Sequence, residues 1–98
     1  MRTFTEKEKR DGEMAVRRLS LEAQWLYENS DPFRVYAVKV VENANDPMGI
    51  VGTITRYEYY VDGFGDLSGP MSFEELNWWL ADMVYTDYED EFNEAMED

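Results

Sequence analysis

Residues 33–61 read FRVYAVKVVENANDPMGIVGTITRYEYYV. Phe33 to Glu42 is rich in valine and aromatics, the composition of a strand. Asn43-Ala44-Asn45-Asp46-Pro47 is a turn cluster that Gly49 closes. Ile50 to Val61 is a second strand, or two short ones kinked near Gly52. Strand alternation places Ile50, Gly52 and Ile54 on one face and Val51, Thr53, Thr55, Tyr57, Tyr59 and Val61 on the other. The stretch therefore predicts a hairpin over 33–61, and what flanks it sets the fold class.

Upstream, Thr5 with Glu8 has the form of a capping box for a helix reaching Asn29. Ala15, Leu19, Ala23 and Leu26 recur at helical spacing, with Met14, Val16 and Trp25 widening the stripe. Gly12 weakens that helix by roughly 1 kcal/mol relative to alanine, which predicts fraying before it. Asp31-Pro32 ends it, because the residue before proline avoids helical geometry. The other face mixes Glu6, Lys7, Glu8, Lys9, Arg10, Asp11, Glu13, Arg17 and Arg18, as a solvated helix does.

Downstream, Asp62-Gly63-Phe64-Gly65-Asp66 is a flexible turn that could lead into a short third strand at Leu67. Ser72 and Glu75 form a second capping box, with Met71 and Leu76 placed as a hydrophobic staple. Phe73, Leu76, Trp79, Leu80, Met83 and Val84 then share one apolar face. Trp78 points away from it, beside Glu74, Glu75, Asp82 and Tyr85. Thr86 with Glu89 starts a final helix anchored by Tyr88, Phe92, Ala95 and Met96. The expected architecture is α+β in the order α-β-β(-β)-α-α: a helix over 5–29, a small antiparallel sheet of two to three strands over 33–61, and an acidic helical region over 72–97. All of it fits one domain, 1–98.

Composition restricts the chemistry. The 98 residues include no cysteine and no histidine, and 22 acids against 9 bases give a formal charge of −13. Thiolate metal sites, disulfides, thiol nucleophiles and the usual general base are all excluded. The acid excess repels nucleic acid and anionic membranes, so neither is an expected partner. No apolar run approaches a membrane span and no signal peptide opens the chain, which predicts a cytoplasmic protein. Asp62 to Phe73 fails as a calcium loop, since Phe64 and Phe73 stand where oxygen ligands belong. Gly63, Gly65 and Gly69 lack the lysine of a phosphate loop. The expectation is a non-enzymatic protein with no metal and no cofactor.

The charge is concentrated. Met1 to Arg56 holds nine basic and nine acidic residues, whereas Tyr57 to Asp98 holds thirteen acids and no base. Solubility alone does not require such a partition, because ordinary surfaces intersperse both signs. Tyr88, Phe92 and Met96 punctuate the acidic run at helical spacing, so it reads as a helix with a charged face. Acids at 87, 91 and 94 on one helix would stand about 4.5 to 6 Å apart along the axis, on the scale of backbone phosphates at ~3.4 Å per strand. Glu74, Glu75, Asp82, Asp87, Asp90, Glu91 and Glu94 are the candidate carboxylates, and Trp78 and Tyr85 the candidate apolar contacts. Tyr57, Tyr59, Tyr60 and Phe64 are further aromatics that the pattern does not readily bury.

Two resemblances bear on function. Small size, acidity and aromatics beside carboxylates resemble phage-encoded antirestriction and anti-CRISPR inhibitors, a likeness of profile that carries no motif. It implies a partner with a basic, nucleic-acid-binding surface, such as a CRISPR effector or restriction enzyme, in a host bacterium's cytoplasm, with the chain acting as monomer or homodimer. Separately, Tyr57-Glu58-Tyr59, Gly69-Pro70-Met71, Leu76 and Trp79 resemble the GYF-domain signature over roughly a third of the chain. Met71 and Leu76 stand where that family has Phe and Met, and Met83-Val84-Tyr85 where it has Gly-Tyr-Phe. This second resemblance implies a proline-rich peptide held by Tyr57, Tyr59, Met71, Leu76 and Trp79. A third expectation, from another class, is an assembly subunit of a phage or mobile element.

Overall fold

A computed structural model describes residues 2–30, 32–45, 49 and 51–97; the side chains of Ala44, Asn45 and Val51 are not among the described features. Its elements are α1 (Glu6–Val16), α2 (Leu21–Asn29), β1 (Arg34–Asn45), β2 (Val51–Asp62), α3 (Phe73–Asp87) and α4 (Glu89–Met96). This is the expected α+β fold, built on a two-stranded antiparallel sheet.

The hairpin is long. Arg34 pairs with Asp62 and the register runs without slip to Asn45 opposite Val51. Gly52 therefore introduces no kink. Asp46, Pro47, Met48 and Ile50, which carry the expected turn and the start of the second strand, lie outside the described residues, as does Asp31. One sheet face presents Val35, Ala37, Tyr59 and Val61 to the helices, where they join Leu26, Leu76, Leu80 and Val84 in the main core. Each fully buried aliphatic side chain contributes on the order of 1.5 to 3 kcal/mol. The opposite face buries Tyr36, Val38 and Tyr60 under Phe4 and Leu67, with the Phe4 and Tyr36 rings stacked at 4.0 Å. Tyr59 and Tyr60 are thus core residues, not surface aromatics.

Beyond Lys39 and Tyr57 the hairpin leaves the helices and becomes an arm with exposed faces. The extents of 57 × 30 × 20 Å and the radius of gyration of 16.3 Å follow from it, since a compact chain of this length has a radius near 13 Å. Arg56 steadies the arm, reaching Glu42 across the strands at 2.8 Å and Glu58 along its own strand at 2.9 Å.

Several expectations need correction. The helix expected over 5–29 is two helices. The Thr5–Glu8 box starts α1 as expected, but the chain turns after Val16 and Ser20 caps α2 through Ala23 N–H. Asn77 Oδ1 accepts the Ser20 amide at 2.7 Å, and the Gln24 side chain donates to Leu19 O at 2.7 Å and Arg17 O at 3.2 Å. These bonds satisfy backbone groups that a continuous helix would have satisfied itself. The stripe Ala15, Leu19, Ala23, Leu26 is buried in either arrangement, so periodicity did not expose the break. Gly12 is no loose point either: it is buried against β1.

Of the two to three strands expected, the sheet has two, and the optional strand at Leu67 does not form. Ser68 and Met71 instead make isolated bonds to the outer edge of β2, with a single bridge between Tyr59 and Met71. Phe64 turns inward between Phe33 and Trp79, at 4.9 and 5.7 Å between ring centres. The Thr86–Glu89 box is also absent. α3 continues through Thr86 to Asp87, and Tyr88 is the junction, with no side-chain cap on α4. Tyr88 N–H still bonds Val84 O, and Phe92 N–H bonds Tyr88 O, so one residue suffices to redirect the chain and Thr86 stays helical. Ala95 and Met96 are exposed; only Tyr88 and Phe92 anchor α4.

Candidate functional site

α3 is set by the Ser72–Glu75 box: Glu75 N–H donates to Ser72 Oγ and Ser72 N–H to Glu75 Oε1, both at 3.1 Å. That fixes the helix phase, and burial of Leu76, Leu80 and Val84 fixes which side faces the core. Glu74, Trp78, Asp82 and Tyr85 follow at intervals of four, four and three, which places them on one outward stripe. The order is carboxylate, indole, carboxylate, phenol. Trp78 is 68% exposed and Tyr85 50%. Glu75 lies at the stripe's edge.

α4 is held against α2 by rings. Phe92 meets Trp25 at 5.4 Å and Tyr85 at 6.0 Å, and Trp25 meets Tyr88 at 6.3 Å, all edge-on. Such pairs are worth about 0.5 to 1.5 kcal/mol beyond the area they bury. With Phe92 turned inward, Asp90 and Glu94 point outward and Glu91 flanks them. Asp87, the last residue of α3, does not continue the α4 row. The expected 87–91–94 series on one helix is therefore split, and the spacing of about 4.5 Å along the axis holds only for Glu91 and Glu94.

All nine candidate residues are exposed: Glu74, Glu75, Trp78, Asp82, Tyr85, Asp87, Asp90, Glu91 and Glu94. The structure carries them on the adjoining helices α3 and α4 and adds Glu22 and Glu89, both beside Tyr85, which sequence reasoning missed. Glu22 stands on α2, which packs on α3; Glu28, also on α2, faces elsewhere and lines hollows with Arg17 and Arg34. The Glu22 carboxylate stands close enough to act on the Tyr85 hydroxyl. Partial desolvation first, then the charge and hydrogen bond of Glu22, hold that phenol above its ordinary pKa. The missed signal was legible, since Leu19 to Phe33 also contains no Lys or Arg. Glu89, in the first turn of α4, belongs to the same surface.

Taken together, α2, α3 and α4 carry ten carboxylates and no basic residue. Among the described residues, every ion pair lies on α1 or the hairpin: Lys7–Asp11, Lys9–Glu6 and Arg56 with Glu42 and Glu58. None involves a carboxylate of α2, α3 or α4. Among the described residues no group of three or more acidic side chains converges as a metal site would. The surface presents separated negative charges around two accessible rings.

The residues of the GYF-like pattern are arranged differently. Tyr57 and Tyr59 border a groove of about 530 Å³ against α1, together with Met14, Arg17 and Arg18. Leu76 is fully buried in the main core and Trp79 packs on Phe64. No protein-family model, curated protein or solved structure matches the chain.

Proposed function

We propose that this protein is a non-enzymatic inhibitor that lays α2, α3 and α4 on the basic, nucleic-acid-binding surface of a host protein, in the manner of phage anti-CRISPR or antirestriction proteins. The observation that carries the reading is that α2, α3 and α4 carry ten carboxylates and no base of their own, and that among the described residues none of these carboxylates is in an ion pair. Maintaining that repulsion costs stability. A surface that complements a phosphate-binding groove gives it a use, because long-range attraction accelerates encounter and fixes orientation. Trp78 and Tyr85 supply contact that salt does not screen, in the aromatic role common at interface centres.

The test is capture from bacterial lysate at low salt, repeated at high salt and in the presence of competing duplex DNA. A nucleic-acid-binding protein retained at low salt and displaced by DNA supports the reading. Asp87, Asp90, Glu91 and Glu94 changed together to lysine should abolish capture while the domain stays folded. Unchanged capture by that variant would sink the proposal.

A second reading, a GYF-like peptide module, has the groove beside Tyr57 and Tyr59 in its favour. Burial of Leu76 removes one of its five contact candidates. Titration with proline-rich peptides separates the two: this affinity should depend on Tyr59 and Trp79 and hardly on salt, whereas capture by the acidic helices falls steeply with it.

A further inference from the structure

The groove between α1 and the hairpin meets the acidic helices at Phe73, the first residue of α3, and has the opposite character. Met14, 62% exposed, and Tyr57, 39% exposed, stand open on it, with Tyr59 and Ala37 completing its apolar lining. Arg17 and Arg18 border it, and among the described residues neither has an ion-pair partner. The Arg18 guanidinium lies over the Phe73 ring at 5.1 Å, which holds it near the groove. Asp11, the one acid here, is already engaged by Lys7 at 2.7 Å.

The strand beside this groove has an unfinished edge. Tyr59 N–H donates to Met71 O at 2.8 Å and Met71 N–H to Tyr59 O at 2.9 Å, while Ser68 N–H reaches Val61 O at 2.9 Å. Val61 and Tyr59 thus direct their backbone groups away from β1, and strand alternation gives Tyr57, Thr55 and Thr53 the same outward direction. After Met71 the chain leaves for α3. The edge from Tyr57 onward makes no backbone bond among the described residues, and such an edge is a template for another strand.

We propose that this edge and groove form a second binding site, for an extended acidic peptide segment of a partner protein. The segment continues the line begun by Ser68 and Met71, bonding its main chain to Tyr57 and Thr55. Its alternate side chains enter the groove: an aliphatic or aromatic one over Met14, Tyr57 and Tyr59, and carboxylates at Arg17 and Arg18. Charge complementarity selects the occupant, since among the described residues these two arginines have no ion-pair partner although the chain's net charge is −13. The proposal is independent of the acidic helices and survives or fails without them.

The probe is a capped, fluorescein-labelled peptide of two Glu-Thr-Ile-Thr repeats, which as a strand puts glutamate and isoleucine on one face. Saturable binding that weakens with salt is expected, with slowed amide exchange at Tyr57 and Thr55. Arg17→Glu/Arg18→Glu should weaken it about tenfold or more, because two exposed attractive contacts become repulsive. Thr55→Pro should abolish it: Thr55 N–H faces outward, so proline blocks the edge without removing a bond to β1. Circular dichroism confirms that both variants fold, and the arginine variant decides the matter if the proline variant does not. The lysine variant of the acidic helices should retain binding. The proposal is overturned if the peptide does not saturate, if a lysine-for-glutamate peptide binds equally well, if a neutral proline-rich peptide binds better, or if the arginine reversal changes nothing.

Discussion

A Cβ placed on Gly12 would stand 1.9 Å from the carbonyl oxygen of Val35 and 2.5 Å from its carbon. Helix α1 therefore touches the backbone of β1 itself, and the main core closes over that contact. Gly12→Ala should reverse the usual helix rule. Propensity favours alanine by about 1 kcal/mol, but the obstructing atoms are backbone and α1 must lift from the sheet. Overpacking of this kind costs ~1 to 3 kcal/mol and occasionally more, so the net result is a loss. Urea unfolding should show a lower midpoint; an unchanged or raised midpoint would contradict the contact.

That contact also shows where the sequence was legible. Patterns that act locally were read correctly: the Thr5 and Ser72 boxes, the strand alternation, and the apolar face through Leu76, Leu80 and Val84 all depend on neighbours within a few residues. Features decided by distant partners were not. Ser20 ends one helix and starts another partly because Asn77, far along the chain, accepts its amide. Gly12 reads as a weak helix position until Val35 is seen against it. Thr86 has a cap's spacing, yet Tyr88 makes the turn because Phe92 must reach Trp25. In the candidate site, the outward set on α3 followed from helical phase alone. The share taken by α2 required knowing that it packs on α3, and the β2 edge required knowing that Met71 pairs once and departs.

The exposed indole of Trp78 and the half-buried indole of Trp25 should behave oppositely. Trp78 packs against none of the core, so Trp78→Ala should leave stability within about 0.5 kcal/mol, as surface changes do, while reducing capture of the basic partner. Trp25 joins α2 to α4 through Tyr88 and Phe92, and Trp25→Ala should cost roughly 3 kcal/mol. Acrylamide quenching provides a direct check, because removing Trp78 should eliminate the most accessible part of the fluorescence.

Tyr85 and Glu22 make stability fall at alkaline pH. Desolvation, followed by Glu22, raises the Tyr85 pKa in the folded state, so folding favours the protonated phenol. Its contribution is complete below the unfolded value near 10 and is lost as pH rises through the higher folded value. Lys7, raised by its hydrogen bond to Asp11 and then by that residue's charge, acts in the same direction; its pair is exposed and its share is small. Tyr85→Phe should flatten the decline in melting temperature between about pH 9 and 11. An identical decline in the variant would show that the Glu22 contact does not govern it.

Salt should move folding and binding in opposite directions. Ten carboxylates on α2, α3 and α4 repel one another with no base among them, and raising ionic strength from about 10 mM to about 1 M shortens the screening length from ~30 to ~3 Å. The melting temperature should therefore rise across that range, while capture of a basic partner declines. Glu94 tests the cause. It stands in the last turn of α4, where a negative charge opposes the helix dipole and no basic residue offsets it. Glu94→Lys should stabilise by about 0.3 to 1 kcal/mol at low salt, the range for a charge near a helix terminus, and the gain should shrink as salt is added. It should at the same time weaken capture. A stabilised variant with undiminished capture would remove α4 from the binding surface and leave α3 and α2 to carry it.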